Sequence, residues 1–198
     1  MCLLLESIKV ENGRPCNLED HINRMNNSRR CLFGIQNPII LSDQLFDKEI
    51  KGVAKCRIVY SETIHSVDSL PYTPRLINTL YLIEKNDIDY TYKYADRSAF
   101  QNLPAHAPDE DFLIVKNGYI TDTTFSNIVF FDGNQWVTPS TYLLNGTQRQ
   151  RLLREGRIVS RNIKADDLDS FLYARLINAM LDFDSAPFIE MSAIRVSQ

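Results

Sequence analysis

The chain has 198 residues, 22 Lys and Arg against 25 Asp and Glu for a formal net charge of −3, and 44% hydrophobic residues. At this length roughly 70% of the unfolded surface can be buried, so stability requires neither metal nor disulfide, and collagen-like, disordered and disulfide-scaffold classes are excluded. A mildly acidic balance without a Lys/Arg block gives no electrostatic footprint for nucleic acid or an anionic membrane surface, so neither is expected as a partner.

Cys2, Cys16, Cys31 and Cys56 form no C-x-x-C pair, and His21, His65 and His106 show no ligand spacing. No metal is expected, and the cysteines read as reduced core thiols of a cytoplasmic protein. The apolar run at residues 1–5 stops at Glu6, before a signal-peptide core forms, and no stretch reaches the length of a membrane span.

In chain order, residues 3–10 read as a strand. Asn17 is placed to cap a helix over 18–33, with Leu18, Ile22, Met25, Leu32 and Phe33 on one side and His21, Arg24 and Ser28 on another stripe. A short helix is expected over 43–51, then strands at 53–60, 63–67 and 76–83. Residues 84–92 lack a clear period and read as the connector between two halves. The second half begins with a short helix near 96–103, followed by strands at 112–115, 119–121, 127–131 and 135–137. A helix over 147–155, a strand over 157–163, a helical turn near Asp166 and a mixed ending complete it. Elements that do not alternate regularly predict an α+β chain.

Glycine is sparse, with seven in the chain. Gly13, Gly118 and Gly133 follow Asn or Asp between strand-like runs, as hairpins require, and Gly34, Gly52 and Gly156 follow helical stretches as left-handed caps. Gly146 is different, because in L-L-N-G-T-Q-R it stands immediately before a helix. A turn glycine there exposes unpaired N–H groups and the positive helix end beside the Thr147 hydroxyl, which forms an anion pocket or, more plainly, a tight loop capped by Thr147. Arg24 reads by itself as a solvated arginine. Lys93 in Y-T-Y-K-Y-A-D-R is either a snorkelling lysine or a desolvated amine nucleophile. Asp122, ending a strand, is a turn cap or a functional carboxylate.

Taken in order, these pieces resemble the class IV aminotransferases, a family that includes branched-chain and D-amino-acid aminotransferases and aminodeoxychorismate lyase. L-E-S-I-K-V resembles the family's F-E-T-I-R strand, and H-I-N-R-M-N-N-S its H-x-x-R-L-x-x-S helix. N-G-Y-I-T-D-T-T-F-S-N-I-V-F-F, V-T-P and L-L-N-G-T-Q-R are similar to the signature G-x-[VI]-x-E-x-x-x-x-N-[IL]-[FV], T-P and [LI]-L-x-G-[IV]-T-R. The resemblance implies a D-amino-acid-aminotransferase-like fold (fold type IV) with two domains, 1–86 and 96–198 joined by 87–95, and a pyridoxal 5′-phosphate (PLP) cleft between them.

It further implies that Lys93 forms the Schiff base and acts as base, that Arg24 holds the phosphate with Gly146, Thr147 and Gln148, and that Asp122 partners the ring nitrogen. Asn127 and Ser126 match the same signature and either bind the cofactor or order the strand that ends near Asp122. Two departures stand out: Asp122 replaces a glutamate, and G-T-Q-R replaces G-[IV]-T-R. The resemblance starts at the F-E-T strand, so the N-terminal segment of longer relatives, with its substrate-binding groups, is expected to be missing.

For substrate carboxylates Arg97 is the candidate, with Arg57 and Arg75 weighed beside it. Tyr92 and Tyr94 either bond the cofactor or pack as rings, and Asn178 either faces the phosphate or satisfies backbone in the core. K-Y-A-D-R looks more like the K-x-x-N-R of aminodeoxychorismate lyases than the glycine-rich segment of branched-chain aminotransferases. The implied reaction is elimination of pyruvate from 4-amino-4-deoxychorismate to give 4-aminobenzoate, a step toward folate. The alternatives are a class IV aminotransferase and an inactive binding subunit. The resemblance also implies a homodimer acting on a small amino substrate.

Overall fold

The computed structural model describes residues 2–196 and divides the chain into two compact units. Among the described residues, the first takes the chain up to Pro74 together with Tyr92–Arg97, and the second takes Arg75–Thr91 and the chain from Ser98 to residue 196. This division differs from the expected 1–86, 87–95 and 96–198 for a reason visible in the hydrogen bonds. The strand at residues 79–84 pairs in parallel with residues 110–115 of the second unit. Residues 93–95 lie instead along the first strand of the first unit, where Leu5 N donates to Lys93 O (2.8 Å) and Ala95 N to Leu3 O (2.9 Å).

The first unit contains β1 (Leu4–Glu11), β2 (Arg14–Pro15), α1 (Leu18–Phe33), β3 (Val53–Tyr60) and β4 (Ile64–Pro71), with an antiparallel sheet ordered β2-β1-β3-β4. Side chains alternate across a strand, so Leu4, Glu6, Ile8 and Val10 share a face with their partners Tyr60, Ile58, Cys56 and Ala54. Seven of these eight are core apolar residues; Glu6 is the exception and is itself fully buried. Helix α1 spans the expected residues, but its buried positions are His21, Met25, Ser28 and Arg29, while Leu32 is exposed. The stripe that composition would assign to solvent faces inward because Glu6 lies beneath it. Asn17 stands at the helix start in a left-handed conformation, and its side chain makes no capping bond. The helix expected over 43–51 shortens to one 3₁₀ turn at Asp43–Leu45, and the chain after it runs irregularly with Phe46 seated in the core.

The second unit is built from β5 (Thr79–Glu84), β6 (Glu110–Lys116), β7 (Tyr119–Thr123), β8 (Asn127–Phe131), β9 (Trp136–Pro139), α2 (Thr147–Arg154), β10 (Val159–Arg161), β11 (Tyr173–Ile177), β12 (Ile189–Glu190) and β13 (Ile194–Val196). They form two sheets, β13-β5-β6-β7 and β10-β9-β8-β11-β12. Leu80, Leu113, Ile120, Ile128, Phe130 and Leu176 belong to one core shared by both sheets. Val129 points the other way and packs with Leu152 of α2, Ile158, Ile177 and Phe183. Burial on both faces explains the unbroken apolar run of β8. Asn117 and Gly118 both have positive φ (52° and 78°), as a two-residue type I′ hairpin between β6 and β7 demands. Of the cysteines only Cys56 is a core thiol; Cys2 and Cys31 are exposed and Cys16 is half-buried. Among the described residues no helix is long and apolar enough to cross a membrane.

Phe130 has no solvent exposure and its ring lies 5.1 Å from that of Phe171. Phe130→Ala is expected to cost about 3–5 kcal/mol of stability, read as a lower urea midpoint with an unchanged slope.

Candidate active site

In the first unit the candidate residues gather around one carboxylate. Glu6 is fully buried; Arg24 donates from Nε to Oε1 at 2.8 Å and from Nη2 to Oε2 at 2.6 Å, and His21 Nδ1 lies 2.6 Å from Oε2. Burial alone would raise the Glu6 pKa, but the charge of Arg24 and the hydrogen bonds from His21 and Arg24 outweigh it and lower the value to about 2. An ionised carboxylate only accepts, so His21 Nδ1 carries the hydrogen. His21 Nε2 is buried without a hydrogen-bond partner among the described residues. Arg24 is therefore no solvated arginine: Glu6 takes its Nε/Nη2 edge and sets the guanidinium plane.

Lys93 is half-buried, its backbone pinned against β1 one residue from Glu6. Its amine is lowered from 10.5 to about 8, first by burial, then by the charge of Arg24, with Arg97 and Lys55 adding and Glu6 opposing. Tyr92 and Tyr94 pair edge to face at 6.1 Å and pack against the core of this unit. Arg57 is exposed opposite Asp68 across β3 and β4. Arg75, in the second unit, is engaged by the carbonyls of Pro108 and Glu110 and lies over the Phe125 ring.

The second unit gathers Asp122, Asn127, Gly146, Thr147 and Gln148. Asp122 Oδ2 accepts from Leu143 N and Leu144 N, each at 2.9 Å, and Oδ1 accepts from Asn127 Nδ2 at 2.7 Å. Burial raises the Asp122 pKa to about 6, against the lowering effect of these bonds and of Arg149. Gly146 precedes α2 with φ −64° and ψ 144°, so left-handed geometry is not why it is glycine. A Cβ there would lie 2.1 Å from Asn127 Oδ1. Thr147 and Gln148 are buried at the start of α2, where the first N–H groups have no intrahelical acceptor. Asn178 donates to Ser126 Oγ (2.7 Å) and accepts from Met180 N (2.8 Å), so it braces the turn before β8.

Three functional candidates escaped the sequence reading. Glu6 had a signal: it occupies a core position of an alternating strand. Arg149 had the motif's terminal R. It is buried over the Tyr142 ring at 4.2 Å and bonds Pro139 O at 2.9 Å, clamping α2 to the end of β9. His21 was placed on the right stripe, but nothing local announces that it turns inward.

The three-sheet α+β architecture is that of fold type IV PLP enzymes. The family model for amino-transferase class IV matches residues 3–183, and the chain belongs to that family. A Haemophilus influenzae protein described as uncharacterized is 34% identical over 190 residues, 89% of this chain and 97% of that protein. The crystal structure of a "putative 4-amino-4-deoxychorismate lyase" from Haemophilus somnus has a TM-score of 0.79 at 31% identity, covering 91% of this chain and 97% of that one. A hypothetical aminotransferase from Mycobacterium tuberculosis, in a PLP-bound form, shares the fold at 18% identity with a TM-score of 0.74, covering 95% and 80%.

Two outcomes are expected from these electrostatics. Because the folded Glu6 pKa lies below its ordinary 4.5, its contribution is full above that value and is lost as pH falls toward 2, on the order of 3 kcal/mol in all. Glu6→Gln should be less stable at neutral pH and should lack that part of the acid transition, as followed by thermal melts from pH 7 to 2.5. Competitive acylation should label Lys93 with a midpoint near 8, and Arg24→Met should move that midpoint upward.

Proposed function

We propose that this chain is a PLP-dependent lyase that eliminates pyruvate from 4-amino-4-deoxychorismate and releases 4-aminobenzoate. The observation that carries the reading is Lys93: an amine with a pKa of about 8, pinned beside an arginine whose plane is fixed by a buried carboxylate. The description of the Haemophilus somnus protein and the K-Y-A-D-R segment favour the lyase branch.

The donor set fits the cofactor. PLP needs an amine, a dianion cradle and a carboxylate for its ring nitrogen. In the first unit Lys93 would be the amine and Arg24 a phosphate partner; in the second the α2 start with Thr147 and Gln148 would offer phosphate donors, and Asp122 keeps an acceptor position after its three bonds. The missing Cβ of Gly146 keeps Asn127 in place beside that carboxylate. Bound, the group supplies an electron sink for the pair left when a C–H bond breaks.

The chain supplies the rest. Near neutral pH a base of pKa about 8 takes a proton and returns it with little loss either way, so Lys93 Nζ removes the proton from the amine-bearing carbon. The C–O bond to the enolpyruvyl group then breaks, its electron pair leaves with the oxygen, and Lys93 gives its proton to the departing group, which becomes pyruvate. The ring becomes aromatic, and no oxidant or second substrate is consumed. Asp122, with a pKa of about 6, is mostly ionised at pH 7 and stabilises positive charge at the ring nitrogen. The charges that bear on Lys93 are Arg24, Arg97 and Lys55 against Glu6, an excess of cations suited to a dicarboxylate substrate.

The test is to supply the purified protein with PLP and 4-amino-4-deoxychorismate and follow 4-aminobenzoate by fluorescence and pyruvate by a coupled dehydrogenase. Equal amounts of both are expected, with Lys93→Ala lowering the rate more than about 100-fold. Amino exchange with a keto acid and no pyruvate would replace the lyase by an aminotransferase.

A further inference from the structure

We infer that Asn127 is a positioning residue: its amide fixes which acceptor site Asp122 leaves open and holds that carboxylate in register with the start of α2. The inference rests on the PLP reading for what the open site receives, but its geometry belongs to the second unit alone.

Both hydrogens of Asn127 Nδ2 are committed, one to Asp122 Oδ1 at 2.7 Å and one to Leu144 O at 2.8 Å. The opposite amide orientation would set an oxygen against those two oxygens, so the assignment follows from the neighbours. Asp122 Oδ2 takes two backbone N–H groups, from Leu143 and Leu144. Of the roughly four acceptor positions of a carboxylate, three are filled, and the remaining one is on Oδ1, the oxygen Asn127 holds. The other end of the same amide presses on α2, because Asn127 Oδ1 stands 2.1 Å from where a Gly146 Cβ would be. One side chain thus touches both the carboxylate and the glycine that opens the helix.

Its backbone is equally constrained. Asn127 is the first residue of β8 and pairs with Ile177 of β11. The turn before it is closed by Thr123 N on Ser126 O at 2.9 Å and by Asn178 on Ser126 Oγ at 2.7 Å. The amide therefore has little freedom to follow a ligand and sets the direction instead. This accounts for a short aspartate serving where the family has a glutamate: the carboxylate is steered by a clasp rather than by its own reach. The charged group facing Asp122 is Arg149 of α2, which is anchored independently on Pro139 O.

The experiment titrates Asp122 by carboxyl ¹³C NMR in protein without added cofactor, in the native chain and in Asn127→Ala, Asn127→Asp, Gly146→Ala and the Gly146→Ala/Asn127→Ala pair. The native midpoint is expected near 6. Loss of the amide donor should raise it by about one pH unit, and Asn127→Asp, which adds a like charge, should raise it further. Gly146→Ala should raise it too when Asn127 is present, and add nothing when Asn127 is already alanine. PLP affinity, read by absorbance titration, should fall about tenfold in each single variant.

An unchanged Asp122 midpoint in folded Asn127→Ala and Asn127→Asp would overturn the inference, whatever their affinity. If neither variant folds, as judged by thermal melts, the side chain serves the fold and the positioning role is likewise overturned. If the native chain does not take up PLP while the midpoints shift as stated, the cofactor reading falls and the clasp stands.

Discussion

The buried carboxylate of Glu6, closed over by His21 and Arg24, is the contact on which the chemistry of the first unit depends. Two apolar residues would join β1 to α1 at least as well, because desolvating charges offsets most of what their attraction supplies. Apolar residues would not hold a guanidinium at one angle. The bidentate bond does, and it leaves Arg24 close enough to β1 for its charge to act on Lys93. The same carboxylate moderates that action, since Glu6 raises the lysine that Arg24 lowers. A pKa of about 8 is the balance between burial, three cations and one anion.

The second unit places its groups differently, through backbone rather than ion pairs. β8 is buried on both faces, with Ile128 and Phe130 in one core and Val129 in the other. A strand held this way gives its first residue, Asn127, a fixed origin. Asp122 is then gripped by two main-chain N–H groups of the 143–144 segment, and α2 starts three residues later. Arg149 anchors that helix to β9 through a carbonyl and the face of Tyr142. Thus an aspartate and a helix start far apart in sequence become neighbours through the main-chain N–H groups of the 143–144 segment.

Much of the fold was legible. Helix 18–33 and strand 127–131 agree with the structure residue for residue, because each has an unambiguous period or a continuous apolar run bounded by turn residues. The segment 43–51 did not become a helix. The expected period gave way to the seating of Phe46 in the core, which the chain reaches in irregular conformation after a single 3₁₀ turn. Residues 173–177 form β11 although Y-A-R-L-I-N-A-M reads as a mixture; pairing with β8 on one side and β12 on the other decides it. The candidate residues were found by order and motif, but their partners were not, since Glu6 with Arg24 and Asp122 with Leu144 are separated by 18 and 22 positions.

The sequence by itself determined the family and the glycines that turns require. Those follow from local chemistry and short spacing, which a chain displays before it folds. Only the tertiary structure decided that α1 turns its polar stripe inward, that Lys93 belongs with β1, and that Gly146 is glycine because an amide needs the space. Each of these depends on which distant groups share a dry interior, where an unpaired charge or a misplaced methyl costs more than local preference can supply.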